Sequence, residues 1–165
     1  MGWFKNLRLW RRERGGTYLI KDDFASQLNE RGNLEIATIF GMLEIDGDAE
    51  YDRATGAYDT EYNEFHLAFA GHDDCCNQLN ATGNVIDMAG SVIMTSQRQV
   101  DLAFFDLLLG AARKVLIRMI RGNKESPAGV GKRVSALLIR AVVYYKAVRK
   151  WDKLARLLGI RQHRS

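Results

Sequence analysis

The clearest hydrophobic pattern in the chain lies between Ser96 and Gly122. Apolar residues recur there at steps of four and three, which is the spacing of one helix face. Ser96 followed by Gln99 is a capping-box pattern, and Gly122 with Asn123 ends the helix. The predicted buried positions are Val100, Phe104, Leu107, Ala111, Val115 and Met119, widened by Leu102, Phe105, Leu108, Leu109, Leu116, Ile117 and Ile120, which leaves Lys114, Arg118 and Arg121 exposed.

A second long helix follows, starting between Ser126-Pro127 and Gly131, because serine is a good cap and proline suits the first helical position. Its apolar seam again steps by four and three, through Leu137, Ala141, Tyr144, Val148, Trp151, Ala155 and Leu158. Two such helices joined by a short loop favour an antiparallel helical hairpin. Outside the seam lie Arg133, Arg140, Lys146, Arg149, Lys150, Lys153 and Arg156.

The first half of the chain has weaker patterns. A short helix is predicted from Asp22 to about Arg31, with Phe24 and Leu28 facing inward. Residues 33–46 fit a buried helix and a buried strand almost equally, and the turn residues that follow favour the strand. A β-hairpin is therefore predicted over this region, with His66–Phe69 closing it. Residues 71–90 contain several Gly, Asn and Asp and predict an irregular connection.

The N-terminal segment, residues 1–16, is a short basic amphipathic stretch. Trp3, Phe4, Leu7 and Trp10 share helical spacing, and arginine and lysine residues fill the positions between them. Aromatic and basic residues in this arrangement suit an anionic membrane surface or a partner protein.

Together these patterns predict a single α+β domain, mainly helical, with a small β-hairpin region before a long basic antiparallel helical hairpin. An all-α fold is the alternative. The chain of 165 residues would comprise the basic segment 1–16, an acidic α/β part at 17–90 and the basic helical hairpin at 91–165. With 47% apolar and 27% charged residues and one proline, it has the composition of a globular protein.

Cysteine use and hydropathy predict a cytoplasmic protein. Cys75 and Cys76 are the only cysteines, and adjacent cysteines rarely bridge each other because the resulting ring is strained. Free thiols without a signal peptide indicate a reducing compartment. The most apolar window, Val100–Ile120, carries five charged residues, so no transmembrane span is predicted.

Charge is strongly segregated along the chain. From Asp22 to Asp87 there are 15 carboxylates and two arginines. From Arg98 to Ser165 there are 16 basic residues and four acidic ones. The formal net charge of +4 hides this division. Segregation of this kind indicates electrostatic contact with an anionic partner, with another copy, or between the two halves of one chain.

No motif predicts catalysis, a cofactor or a bound metal. Gly129–Lys132 lacks the spacing of a phosphate-binding loop. Asp46, Asp48, Glu50 and Asp52 alternate as calcium ligands can, but Tyr51 stands where an EF-hand needs glycine. His72 with Cys75 is at most half of a zinc site.

The favoured hypothesis is a non-enzymatic binding or assembly protein that acts through charge-complementary contacts with partner proteins or copies of itself, in the manner of a viral structural or accessory factor. One alternative is nucleic-acid binding by the basic C-terminal helices. The other is a small metal-dependent enzyme whose ligands come from Asp46, Asp48, His72 or Asp73. For an anionic partner or nucleic acid, the predicted contact residues are Lys146, Arg149, Lys150, Trp151, Lys153 and Arg156.

Overall fold

A computed structural model describes residues 17–52, 63–122, 132, 135–136, 138–139 and 141–150. The predicted contact residues Trp3, Phe4, Leu7, Trp10, Trp151, Lys153 and Arg156 lie outside this range, as does the glycine loop before Lys132. In chain order the elements are β1 (Thr17–Leu19), α1 (Ile20–Asp23), a 3-10 turn (Ala25–Gln27), β2 (Leu34–Thr38), β3 (Gly41–Ile45), β4 (Glu50–Asp52), α2 (Asn63–Thr82), β5 (Val85–Ile86), β6 (Val92–Met94) and α3 (Gln97–Gly122). Residues 141–150 are helical and form α4.

The strands pair as three small antiparallel sheets, β1 with β4, β2 with β3 and β5 with β6. The strand prediction for residues 33–46 is confirmed, although the segment forms both arms of a hairpin, with Leu34 opposite Ile45 and Ile36 opposite Leu43. These four side chains are buried, because alternate residues of a strand point to the same face. The mixed α and β fold is confirmed over the described residues, and the all-α alternative is wrong.

The helix predicted from Asp22 to Arg31 is much shorter than expected. One helical turn, α1, is followed by the 3-10 turn, and Phe24 is buried as predicted. Backbone hydrogen bonds hold α1 to the β3–β4 turn, from Ile20 N to Ala49 O (3.0 Å) and from Lys21 N to Gly47 O (2.8 Å). A Cβ at Gly47 would lie 2.1 Å from the carbonyl oxygen of Gly32, so only glycine fits this close approach.

The region from His66 to Thr82 was predicted wrongly. It is neither a strand closing a hairpin nor an irregular connection, but the body of α2. The helix is surrounded by other elements and buries polar as well as apolar side chains, including His66, His72 and Asp73. A helix buried in this way has no single apolar stripe, so periodicity does not reveal it.

Helix α3 confirms the predicted cap and core seam. Ser96 Oγ accepts a hydrogen bond from Gln99 N (3.3 Å), and the Gln99 side chain reaches back to Thr95 N (2.7 Å). The seam residues that are fully buried are Val100, Phe104, Ala111 and Val115. The wider buried face is confirmed at Leu108 and wrong at four positions, because Leu102, Leu109, Ile117 and Ile120 are exposed.

Helix α4 packs against α2 and α3 through Ala141, Tyr144 and Val148. Arg149 contacts Asp101, and the Tyr145 ring lies 4.7 Å from that of Phe105. Later residues of α4 therefore meet earlier residues of α3, so the two helices run antiparallel here. No helix within the described residues combines the length and apolarity needed to cross a membrane.

Candidate functional site

A buried polar cluster lies where the three long helices meet. Helix α2 supplies His72 and Cys76, α3 supplies Gln97 and Asp101, and α4 supplies Arg149. Four of these residues are almost inaccessible to solvent, whereas the Arg149 side chain is 45% exposed. The cluster therefore reaches the surface at its α4 end.

Asp101 is the centre of this cluster. Its Oδ1 accepts hydrogen bonds from Gln97 Nε2 at 2.9 Å and from His72 Nε2 at 3.2 Å. Its Oδ2 accepts one from Arg149 Nη1 at 2.7 Å. A carboxylate that is 1% exposed needs such partners, because an unpaired charge in the interior is very costly. Asp101 thus links all three helices.

Cys76, His72 and Asp101 have the residue types of a nucleophilic relay but not its geometry. The Cys76 sulfur lies 3.6 Å from His72 Nε2 and 3.9 Å from Nδ1. Nε2 donates its proton to Asp101, so it cannot also accept the thiol proton. A relay would use the opposite nitrogen, Nδ1, to accept the thiol proton, but Nδ1 lies 3.9 Å from the sulfur, which is long for a hydrogen bond. Cys76 is also fully buried, and the cluster is suited to joining helices.

The neighbouring cysteine, Cys75, is held as a thiol. Cys75 is buried and unbridged, as the sequence predicts. Burial raises the pKa of the Cys75 thiol far above its usual value, and the Asp74 carboxylate raises it further. Because the thiolate is the reactive form, Cys75 is protected from oxidation and alkylation in the folded protein.

Asp74 has an unusual titration. Burial raises its pKa to about 6, although a hydrogen bond from Gln78 Nε2 to its Oδ2 (2.7 Å) opposes the shift. The folded protein therefore holds this proton more tightly than the unfolded chain, where the pKa is near 3.8. The tighter binding of this proton therefore stabilises the fold fully below about pH 4, and this contribution is lost as the pH rises to about 6.

Replacing Asp74 with asparagine should therefore stabilise the protein at neutral pH. We expect the free energy of unfolding to rise by about 1–3 kcal/mol above pH 6, with the gain vanishing near pH 4. Urea unfolding of both proteins across this pH range measures the effect. Asp22→Asn, at an exposed position, controls for the loss of one negative charge. Equal stability of wild type and D74N at pH 8 would contradict the assignment.

The predicted basic contact residues of α4 differ in what their side chains contact. Lys146 and Lys150 are exposed and share one helix face, since they are four residues apart. Arg149 lies beside them but directs its guanidinium to Asp101. Its contact with an external anion stays a prediction, whereas its internal contact is part of the structure.

The C-terminal end of α3 forms a second basic surface. An open cleft of about 520 Å³ is lined by Lys114, Ile117, Arg118, Arg121 and Gly122. Cations in the last turns of a helix also interact favourably with its dipole. Of the cations in the cleft, Arg121 lies in the last turn and gains this interaction.

Exposed carboxylates are concentrated in the N-terminal part of the described chain, residues 17–52. They are Asp22, Glu30, Glu35, Asp46, Asp48 and Glu50. Some acidic residues there have local partners. Lys21 Nζ lies 2.8 Å from Asp48 Oδ1. Arg31 donates two hydrogen bonds to Glu44, which with Asn33 and Asn29 lowers the pKa of that carboxyl to about 2.

The ligands named for the alternative of a metal-dependent enzyme are not brought together in the described residues. Asp46 and Asp48 lie in the β3–β4 turn, where Asp46 Oδ1 accepts a hydrogen bond from Asp48 N (2.8 Å). His72 and Asp73 lie on α2, and His72 contacts Cys76 rather than Cys75. Among the described residues there is no group of three His, Cys, Asp or Glu side chains that could hold a metal ion.

The hydrophobic pattern of the sequence does not reveal the polar cluster, although one signal for it exists. Asp101 stands directly after Val100 in the most apolar part of α3, and Gln97 precedes it by one helical turn. A carboxylate in that position needs a cationic or hydrogen-bonding partner from another element. The sequence does not show which of the many C-terminal cations supplies it.

Comparison with known proteins gives no relative from which a function could be transferred. The chain matches no protein-family model, no curated protein and no solved structure.

Proposed function

We propose that this protein is a binding and assembly protein that associates through opposite charge, with partner proteins or with copies of itself. The observation that carries the proposal is the segregation of exposed charge. Exposed carboxylates lie on residues 17–52, and exposed cations lie on α3 and α4, which we take as the two arms of a basic helical hairpin.

The proposal needs these charges to remain available at the surface. Lys146 and Lys150 on α4 and Lys114 and Arg121 on α3 are exposed, as are Asp22 and Glu30 in the acidic part. Surfaces of opposite sign on one molecule attract complementary surfaces on another, and they speed association more than they strengthen it. Because exposed charges are screened by salt, such association is sensitive to ionic strength.

A salt titration with charge-reversal variants tests this proposal. We expect wild-type protein to associate at low salt and to dissociate when the Debye length falls to a few ångströms, at roughly 0.5–1 M salt. The double variant Lys146→Glu/Lys150→Glu should weaken association, and so should Asp22→Lys/Glu30→Lys. Static light scattering measures the molar mass of each protein.

Mixing the two variants provides the matched control. If opposite surfaces meet between copies, the basic-reversed and acid-reversed proteins repel themselves but bind each other. If association depends only on the net charge of each protein, the mixture associates no more strongly than either variant alone. A wild-type protein that remains monomeric and binds no acidic protein at low salt would overturn the proposal.

Nucleic-acid binding is the second candidate function, and the spacing of the α4 cations supports it. Lys146 and Lys150 lie about 6 Å apart along the helix axis, a distance at which two lysines contact neighbouring phosphates. Fluorescence anisotropy with a labelled single-stranded oligonucleotide tests this candidate. We expect affinity to fall steeply with salt and to drop in K146E/K150E, whereas unchanged affinity in that variant would reject the candidate.

A further inference from the structure

The side of α3 that faces away from the core carries a continuous stripe of exposed residues. Leu102, Leu109, Ile117 and Ile120 are 36–56% exposed, and Asp106 and Arg113 are exposed between them. All six positions fall within about 80° of the helix circumference at 100° per residue. The centre of this arc lies opposite Phe104 and Val115, which face the core. We call these six residues the α3 stripe.

The α3 stripe is apolar at its ends and centre and carries one charge of each sign between. No hydrogen bond or ion pair joins Asp106 or Arg113 to another residue in the part of the chain that the structure describes. Four large apolar side chains on a single helix face exceed the scattered exposure of an ordinary surface. The stripe therefore has the composition of an interface.

The charges on the stripe are arranged so that the stripe complements itself. When a second α3 lies antiparallel with the two-fold axis between Leu109 and Gly110, Asp106 faces Arg113 of the other copy, and Arg113 faces Asp106. The same register places Leu102 opposite Ile117 on both sides. A two-fold interface requires this reciprocity, because each residue meets the same pair twice.

Gly110 makes room at the centre of this arrangement. A Cβ built at Gly110 would meet no atom within 4 Å, so the surface beside the glycine is open. Leu109 of one copy can enter the space over Gly110 of the other, as knobs enter holes between packed helices. Small residues allow such close approach.

From this self-complementary pattern we infer that the α3 stripe is a homodimer interface, on which a second copy of the chain packs with its own α3 antiparallel. The inference rests on the proposed function, because it names one surface and one partner for the association proposed above. A single helix stripe is small beside the interfaces of permanent dimers. The dimer is therefore weak and depends on concentration.

A charge-swap series tests the inference. Asp106→Arg places two arginines opposite each other, and Arg113→Asp places two aspartates opposite each other. We expect each change to weaken dimerisation by roughly tenfold or more. The double variant D106R/R113D restores both pairs and should dimerise within about twofold of wild type by sedimentation equilibrium. Because both positions are exposed, the variants should remain folded.

Leu109→Lys tests the apolar centre of the stripe and should abolish dimerisation. Val92→Lys, at another exposed apolar position, is the matched control and should leave the dimer intact. Wild type that stays monomeric at about 1 mM would overturn the inference.

The outcome also separates this inference from the proposed function. If K146E/K150E disrupts association while the swap series and L109K do not, association through charge stands and the α3 interface is rejected. If L109K and the single charge swaps weaken association while K146E/K150E does not, the α3 interface stands and the function proposed for the α4 cations fails.

Discussion

Replacing Asp101 with alanine is expected to destabilise the protein by about 3–5 kcal/mol, which is the usual cost of removing one partner from a buried ion pair. The change removes the acceptors for Gln97, His72 and Arg149 at one time. Gln97 and His72 are buried, so their donors lose a partner that water does not readily replace. Chemical unfolding at neutral pH measures the loss.

The other variants of this cluster separate charge from hydrogen bonding. Asp101→Asn keeps one acceptor oxygen but removes the charge that Arg149 contacts, so we expect a smaller loss than for D101A. Arg149→Met removes the cation and leaves the carboxylate with His72 and Gln97. We expect D101A and R149M to be non-additive by about 1–3 kcal/mol when combined, because they share one interaction.

A matched carboxylate on the same helix provides the control. Asp106→Ala removes an exposed charge and should change the stability of the monomer by less than about 0.5 kcal/mol. If D101A and D106A have similar effects at concentrations where the protein is monomeric, the polar cluster does not hold the three helices together.

The parts of the fold that the sequence predicts best are those with one apolar face. Helix α3 has such a face, a capping serine and a terminal glycine, and its start and end are confirmed. The prediction is wrong for the outer residues of α3 because hydropathy assigns every leucine and isoleucine to the core. Side-chain hydropathy alone cannot show that a helix has an apolar outer surface as well as an apolar core face.

The weakest predictions concern elements whose form depends on their surroundings. Helix α2 contains glycine and several polar residues, and its stability comes from packing on many sides. Gly71 shows this dependence, since a Cβ there would lie 3.1 Å from Leu107 and 3.5 Å from Ile36. In the site, Asp101 and Arg149 are separated by 48 positions, so only the tertiary fold selects this pair among the many cations.

Replacing Phe104 with alanine is expected to cost about 3–5 kcal/mol, the range for deleting a buried aromatic ring. Phe104 is fully buried. Its ring packs edge-on against Phe69, with centroids 5.4 Å apart, and lies 4.6 Å from the His72 ring. Deleting it therefore opens a cavity beside the polar cluster. For a protein of this size the melting temperature should fall by roughly 10 °C.

The position of Phe104 beside His72 makes a sharper test possible. If the aromatic ring shields the Asp101 hydrogen bonds from water, F104A already weakens the cluster, and the double variant F104A/D101A loses less than the two single losses together. Leu102→Ala, two residues away on the opposite side of α3 and 40% exposed, should show a small loss in the monomer and full additivity with D101A. Full additivity for F104A as well would mean that the ring stabilises the fold by packing alone.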